Sequence, residues 1–390
     1  MNSSVNSWLP GSKGRLHHNS GGYFNRPSGT ARSSGFSVPA INRGAILKRP
    51  SGARASRLLA ILISLLSLTG CWTSSGPEVV VYTALDEEFS QPIFADFTKT
   101  TGIAVLPKFD AESTKTAGLA REIVEEANRP RCDVFWNNEI ILTLRLARQG
   151  LLDVYRPKIA GRYPAMYRSK DGLWHGLAAR ARILLVNTQR TPKDQWPQSI
   201  TDLTNAKWKG RIGMAKPLFG TTATHAACLF AAWGDEKARE FFDKLKANEV
   251  KILSGNKQVA QAVSSGEIDF GITDTDDAYE EIQAARPVEI VYPDQAAGQI
   301  GTLYIPNTLA VIKGAPHAAE ARRLVDYILS PEVEARLALG PSAQVPLNPD
   351  VTAQPPIKTP RTIRAMQVDF EKAAAKWDDV ARFLRERFAL

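Results

Sequence analysis

The apolar positions of this chain fall into short runs that alternate between two periods. Val79-Val80-Val81-Tyr82 is a continuous apolar run of strand length, and Ile93, Phe94 and Phe97 then recur at helical spacing over Pro92 to Thr100. Ile103 to Phe109 reads as the next strand, and Leu119, Ile123 and Val124 mark a helix over 115–127. Val134-Phe135-Trp136 is a third strand, followed by a helix over 139–148 that Gly150 stops. A second series follows, with strands at 183–186, 212–214, 252–253, 270–273 and 288–292 and helices near 221–233, 235–247, 256–265 and 275–285. Leu303 to Ile312 is a long apolar stretch, and Ser330-Pro331 joins an N-cap residue to a proline at the first helical position. A Pro-rich loop, 341–360, leads to a final amphipathic helix over 367–387. Strands alternating with helices predict an α/β protein whose sheets are mainly parallel and flanked by helices, divided into two lobes.

A different kind of sequence precedes this pattern. The apolar run Leu58 to Leu68 follows Lys48, Arg49, Arg54 and Arg57 and closes on Leu68-Thr69-Gly70-Cys71. A basic segment, a short apolar segment and small residues before a cysteine predict a secretory signal. The run is shorter than the roughly 20 residues that span a bilayer. The Leu-x-Gly-Cys ending resembles a lipobox, so Cys71 is the expected lipidation site and the new N-terminus. Residues 1–70 then form a basic leader and lipoprotein signal peptide, and 71–77 a tether. The expected location is the periplasmic or extracellular face, anchored to a membrane by lipid.

This division changes the charge argument. The chain has 49 Lys and Arg against 40 Asp and Glu, and all nine surplus basic residues lie within 1–70, which has no acid. The remainder is formally neutral, so the excess is no nucleic-acid footprint and no nucleic-acid partner is expected. Cys132 and Cys228 sit in apolar surroundings; one disulfide between them is open in an oxidising compartment, and no Cys/His spacing fits a metal.

In α/β sheets, ligands bind beyond the carboxyl ends of strands. Three strand ends present acids: Asp86 after the first, Glu139 after Asn137-Asn138, and Asp276-Asp277 with Tyr279 after 270–273. Carboxylates that share a cleft require a cation, and oxygen ligands suit a hard metal or an organic polycation. Asp86, Glu139, Asp276, Asp277 and Tyr279 are therefore the candidate metal ligands. Helix capping competes with this reading at each position, and Asp274 reads as a plain cap. Thr221-Thr222 and Asn256 open helices, whose free N–H groups suit an anion. Asn138, Arg180 and Arg182 join them as candidate anion or ligand contacts. Trp136, beside the acids, would suit an organic ammonium through cation–π contact. His175 and His225 read as packed or exposed residues rather than ligands. No nucleophile has a base beside it, so the chain does not read as an enzyme; a metal-dependent hydrolase would need a base that is not evident.

The region 77–390 resembles the extracellular solute-binding proteins of ABC importers, of the type II periplasmic-binding-protein fold, most like the ferric-iron-binding group. The carriers are Val80-Val81-Tyr82-Thr83, Thr100-Thr101-Gly102-Ile103, Asp133-Val134-Phe135-Trp136, Gly150-Leu151-Leu152 and Asp171-Gly172-Leu173-Trp174-His175-Gly176. Arg180-Ala181-Arg182-Ile183, Lys207-Trp208-Lys209-Gly210-Arg211 and Val259 to Glu267 continue the series. The resemblance implies a ligand cleft between lobe 1 (77–181 plus 303–350) and lobe 2 (182–302 plus 351–390). It implies a monomer that carries Fe(III) with a synergistic anion to an ABC permease and its ATPase. One departure bears on the ligand. Iron-binding relatives carry a tyrosine pair where this chain has Asp276-Asp277. The expected cargo therefore stays open between a hard metal cation, an organic cation such as a polyamine or thiamine, and a phosphonate-type small molecule.

Overall fold

The computed structural model describes residues 76–110 and 117–390. The leader, Cys71 and most of the tether lie outside the described residues. The chain opens with β1 (Glu78–Thr83), α1 (Glu87–Thr101), β2 (Ala104–Phe109), α2 (Ala117–Glu125), β3 (Val134–Asn137) and α3 (Ile141–Arg148). It continues with β4 (His175–Asn187), β5 (Ile212–Ala215), α4 (Gly220–Trp233), α5 (Asp235–Ala247), β6 (Lys251–Leu253), α6 (Asn256–Ser264), β7 (Phe270–Asp274), α7 (Thr275–Gln283) and β8 (Val288–Val291). The last elements are β9 (Tyr304–Val311), α8 (Ala318–Ile328), α9 (Pro331–Leu339) and α10 (Phe370–Phe388).

The strand order is β2-β1-β3-β9-β4-β7-β5-β6, with β8 also on β4. Within each half the core strands run parallel: β1 with β2 and β3, and β5 with β6 and β7. β9 and β4 run antiparallel to their neighbours and join the halves. The result is the two-lobe α/β architecture expected from the sequence, with antiparallel pairing where the chain crosses between lobes.

Two elements differ from expectation. α1 begins at Glu87, ahead of Pro92, because Glu87 and Glu88 favour the positive end of the helix dipole and the proline is accommodated inside the helix. β4 begins at His175 rather than at 183. Its polar residues break the apolar pattern, yet His175, Arg180 and Arg182 are all buried. Its first part pairs with β9 and its second with β7 and β8, so the strand is interior along its whole length and its charges must find partners there.

α10 packs on both halves. Arg145 and Arg148 of α3 pair with Asp378 and Glu371, while Asp235 and Asp243 of α5 pair with Lys376 and Arg387. Apart from Arg145, which is buried, these side chains are half-exposed, and pairs of that kind each add little. The larger contribution is apolar: Phe383 meets Phe230 at 5.8 Å between ring centroids, and Phe388 meets Phe242 at 6.4 Å. Cys132 and Cys228 are buried and unpaired.

Candidate ligand-binding site

The switch of β4 from β9 to β7 falls between Ala181 and Arg182. Arg180 and Arg182, two apart, share one face of the strand there. A cavity opens above them. Three helix starts converge on it: Gly220–Thr222 of α4, Asn256 and Lys257 of α6, and Asp276 and Asp277 of α7. None of these helices has a side-chain N-cap bond, since Phe219, Gly255 and Asp274 occupy the cap positions without making one. The first N–H groups of an α-helix have no partner within it, and they carry the positive end of its dipole. α4 and α6 have no acid in their first turn, whereas α7 has two. Lys216 and Lys257 also line the cavity beside the first two helices. The cavity thus has an electropositive pole at α4 and α6. Its electronegative pole is built from Asp276, Asp277 and Asp86, which enters from the other half.

A buried lattice fixes the positive pole. Arg182 is wholly enclosed. Its Nη1 donates to Asp274 Oδ1 (2.7 Å), Asn256 Oδ1 (3.1 Å) and Thr221 Oγ1 (3.2 Å), and its Nη2 donates to Thr222 Oγ1 (3.2 Å). Thr221 Oγ1 donates to Asp274 Oδ2, and Thr222 Oγ1 donates to Asn256 Oδ1 at 3.0 Å. Asn256 Nδ2 donates to Thr221 Oγ1 (2.8 Å) and Asp274 Oδ2 (2.9 Å). Both hydroxyl protons and both amide protons therefore point inward. The donors left for an anion are main-chain N–H groups and the lysines. Burial pushes the Asp274 carboxyl up, but Arg182, Arg180 and the Thr221 hydroxyl outweigh it and hold the group below the usual range.

Arg180 sits at the acidic pole. Its Nη1 donates to Asp276 Oδ2 at 3.2 Å and its Nη2 to the main-chain oxygen of Asn138. Burial works against its charge, yet Asp276, Asp274, Asp277 and Asp86 together hold the guanidinium more firmly protonated than usual. The acidic pole therefore already contains a cation of the protein's own.

Eight sequence candidates line this one cavity: Asp86, Asn138, Arg180, Thr221, Thr222, Asn256, Asp276 and Asp277. Arg182 stands directly behind it. Trp136, Glu139 and Tyr279 are not among its lining residues. Trp136 is fully buried, edge-on to Phe94 at 5.7 Å, so its ring is committed to the core. Glu139 accepts from the N–H groups of Ile141 (2.6 Å) and Leu142 (2.9 Å), from Asn137 Nδ2 (3.0 Å) and from Thr224 Oγ1 (2.6 Å). It closes the start of α3 and fastens it to α4. Tyr279 is half-buried against the core, one turn past the cavity.

Asp274 is the main revision: it reads as a cap, but its oxygens serve Arg182, Thr221 and Asn256 instead. Lys216 is absent from the sequence candidates although it directly follows β5, where the strand-end rule points.

His225 lies on α4 behind the lattice, and burial followed by the charge of Arg182 pushes it down to about 3. In the unfolded chain it takes up a proton near pH 6.5, so between about pH 6.5 and 3 the unfolded state binds more protons and stability falls as pH is lowered. His225→Gln is expected to flatten this acid slope by roughly 1 kcal/mol per pH unit, read from urea midpoints between pH 7 and 4. An unchanged slope would show that the ring protonates freely in the folded state.

The family described as bacterial extracellular solute-binding protein matches residues 142–370. The major ferric iron-binding protein of Neisseria meningitidis is 26% identical over 305 residues, covering 77% of this chain and 89% of that protein. A putative 2-aminoethylphosphonate-binding periplasmic protein of Salmonella typhimurium is 24% identical over 335 residues, covering 84% and 95%. The crystal structure of iron-bound HitA from Pseudomonas aeruginosa is similar with a TM-score of 0.72 at 25% identity, covering 79% of this chain and 99% of that one.

Proposed function

Because this chain belongs to the bacterial extracellular solute-binding proteins, we propose that it captures a small zwitterion, an ammonium joined to a phosphonate or similar oxyanion, for an ABC permease and its ATPase. Its family consists of binding proteins rather than enzymes. The observation that carries the ligand class is the two-pole cavity. Asp86, Asp274, Asp276 and Asp277 are matched by Arg180, Lys216, Lys257 and, behind the wall, Arg182, with Lys257 shared by Glu280 at 2.9 Å. A nearly balanced site favours a ligand that is itself balanced. A relative named for 2-aminoethylphosphonate supports the same class.

A second reading, Fe(III) held with a synergistic anion, is favoured by two observations. Carboxylate oxygens of Asp274, Asp276 and Asp277 lie within 4.8 Å of one another, and relatives are named for ferric iron. Against it, Asp274 and Asp276 are each already paired with an arginine, and among the described residues no tyrosine lines the cavity. The polyamine and thiamine readings lose support with the burial of Trp136.

Titration calorimetry on metal-stripped protein decides between these. 2-Aminoethylphosphonate is expected to bind with micromolar or tighter affinity and inorganic phosphate more weakly. Binding of ferric citrate with no response to the aminophosphonate would replace the zwitterion by iron. The lipid anchor at Cys71 is part of the proposal, resting on the Leu68-Thr69-Gly70-Cys71 motif. Cys71→Ser is expected to move the protein from the membrane to the soluble fraction, and a variant that stays with the membrane would refute the anchor.

A further inference from the structure

The strand that carries Arg180 and Arg182 holds one residue more than its neighbour. In β4, His175 stands opposite Leu309 and Leu177 opposite Asn307, but the next pairs are Ala179 with Pro306 and Arg180 with Ile305. Ala178 is the surplus residue, a β-bulge with a left-handed φ of 37° that any residue with a Cβ disfavours. A shift of one residue turns every later side chain to the opposite face of a sheet. In an unbroken ladder Arg180 would stand opposite Tyr304, on the face that Ala179 and Ala181 now occupy.

Two side chains hold the bulge from outside the strand. Ala178 N donates to Glu334 Oε1 of α9 at 2.6 Å. Its oxygen accepts from Asn307 Nδ2, which also donates to Gln344 Oε1 at 2.8 Å. Glu334 is wholly buried and also accepts from the N–H groups of Leu347 (3.1 Å) and Asn348 (2.9 Å). It does not line the cavity. Resting on the reading of the cavity as the ligand site, whichever ligand fills it, we infer that Glu334 is a positioning residue for binding: it holds the bulge that delivers Arg180 to Asp276 and to the main-chain oxygen of Asn138.

β4 obeys two registers. His175 to Leu177 are locked to β9, and Arg182 is locked to β7 opposite Asp274. The bulge lets both coexist in one strand, and Arg180 lies between them.

Glu334→Gln keeps the shape but turns one acceptor oxygen into a donor facing a main-chain N–H. In calorimetry on the folded whole protein it is expected to weaken 2-aminoethylphosphonate about tenfold or more. Its crystal structure is expected to show Arg180 displaced from Asp276 and Asn138. Leu324→Ala, which removes buried packing from α8, is expected to lower stability and leave affinity unchanged. Adding Ala178→Gly to Glu334→Gln is expected to recover several-fold of the affinity, because glycine adopts a left-handed φ without a carboxylate to hold it. Parental affinity in folded Glu334→Gln, an equal loss in Leu324→Ala, or Arg180 still seated on Asp276 in the Glu334→Gln crystal would overturn the role. Should Glu334→Gln fail to fold, Asn307→Ala decides, since it releases the other side of Ala178; parental affinity there would overturn the role, and a loss with Arg180 displaced would support it. Failure of 2-aminoethylphosphonate to bind the unaltered protein would instead overturn the zwitterion reading, and the place of Arg180 in the variant's crystal would still decide the role of Glu334.

Discussion

Arg182→Met is expected to abolish ligand binding and to lower the unfolding free energy by about 3–5 kcal/mol. The guanidinium is fully buried and joins β4 to β7, α4 and α6 through Asp274, Thr221, Thr222 and Asn256. Methionine fills much of the volume but strands the Asp274 carboxylate in the interior. It also releases the two helix starts that shape the anion pole. Breaking one side of a buried ion pair is far more damaging than replacing both. The double replacement Arg182→Met with Asp274→Leu should therefore recover much of the stability and none of the binding. Urea denaturation and calorimetry on both variants measure this. Full binding by Arg182→Met would mean that the lattice does not organise the site.

The second large effect concerns the other pole. Asp276→Asn combined with Asp277→Asn is expected to weaken 2-aminoethylphosphonate roughly a hundredfold while ethylphosphonate holds or tightens. Both side chains are kept nearly isosteric, so the change is one of charge. Removing two negative charges beside Arg180 leaves its guanidinium freer to attract an oxyanion, which gives the opposite trend for the two ligands. Parallel losses for both would point to a collapsed cavity, and no loss for either would remove the acids from the site.

The contrast between these residues explains what the sequence can and cannot reveal. β1 and β3 are legible because their runs are apolar and largely buried. Asp86, Asp276 and Asp277 are legible because acids after strand ends announce a cleft. The stretch of β4 up to Arg182 is not, because its arginines look like surface residues; only the distant partners Asp274 and Asp276 make their burial tolerable. Asp274 and Glu139 exchange apparent roles for a related reason. Both precede helices, and a carboxylate there can turn to its own helix or away from it. Glu139 turns to the N–H groups of α3, while Asp274 turns to Arg182. Local sequence does not encode that choice, because it depends on which groups the rest of the fold delivers. Trp136 likewise could face the cleft or the core, and Phe94 claims it for the core.

The two attachments of α10 differ in kind, and that difference governs how the halves can move. Toward α4 and α5 the helix offers Phe383 and Phe388, which pack on Phe230 and Phe242. Toward the other half it offers mainly carboxylates at half-exposed positions, Asp378 and Glu371, gripped by the buried Arg145 and by Arg148, with one ring, Phe370, on Tyr167 at 6.4 Å. Packed rings resist sliding, because every ångström of shear opens a void. Ion pairs between long side chains stretch and re-form at little cost. Any rotation of one half against the other would therefore carry α10 along with α4 and α5, and the shear would fall on its contact with the other half. That contact behaves as a bearing whose friction is electrostatic at Arg148 and apolar where Phe370 meets Tyr167, so added salt would ease the rotation in part while leaving the helix seated on its own half.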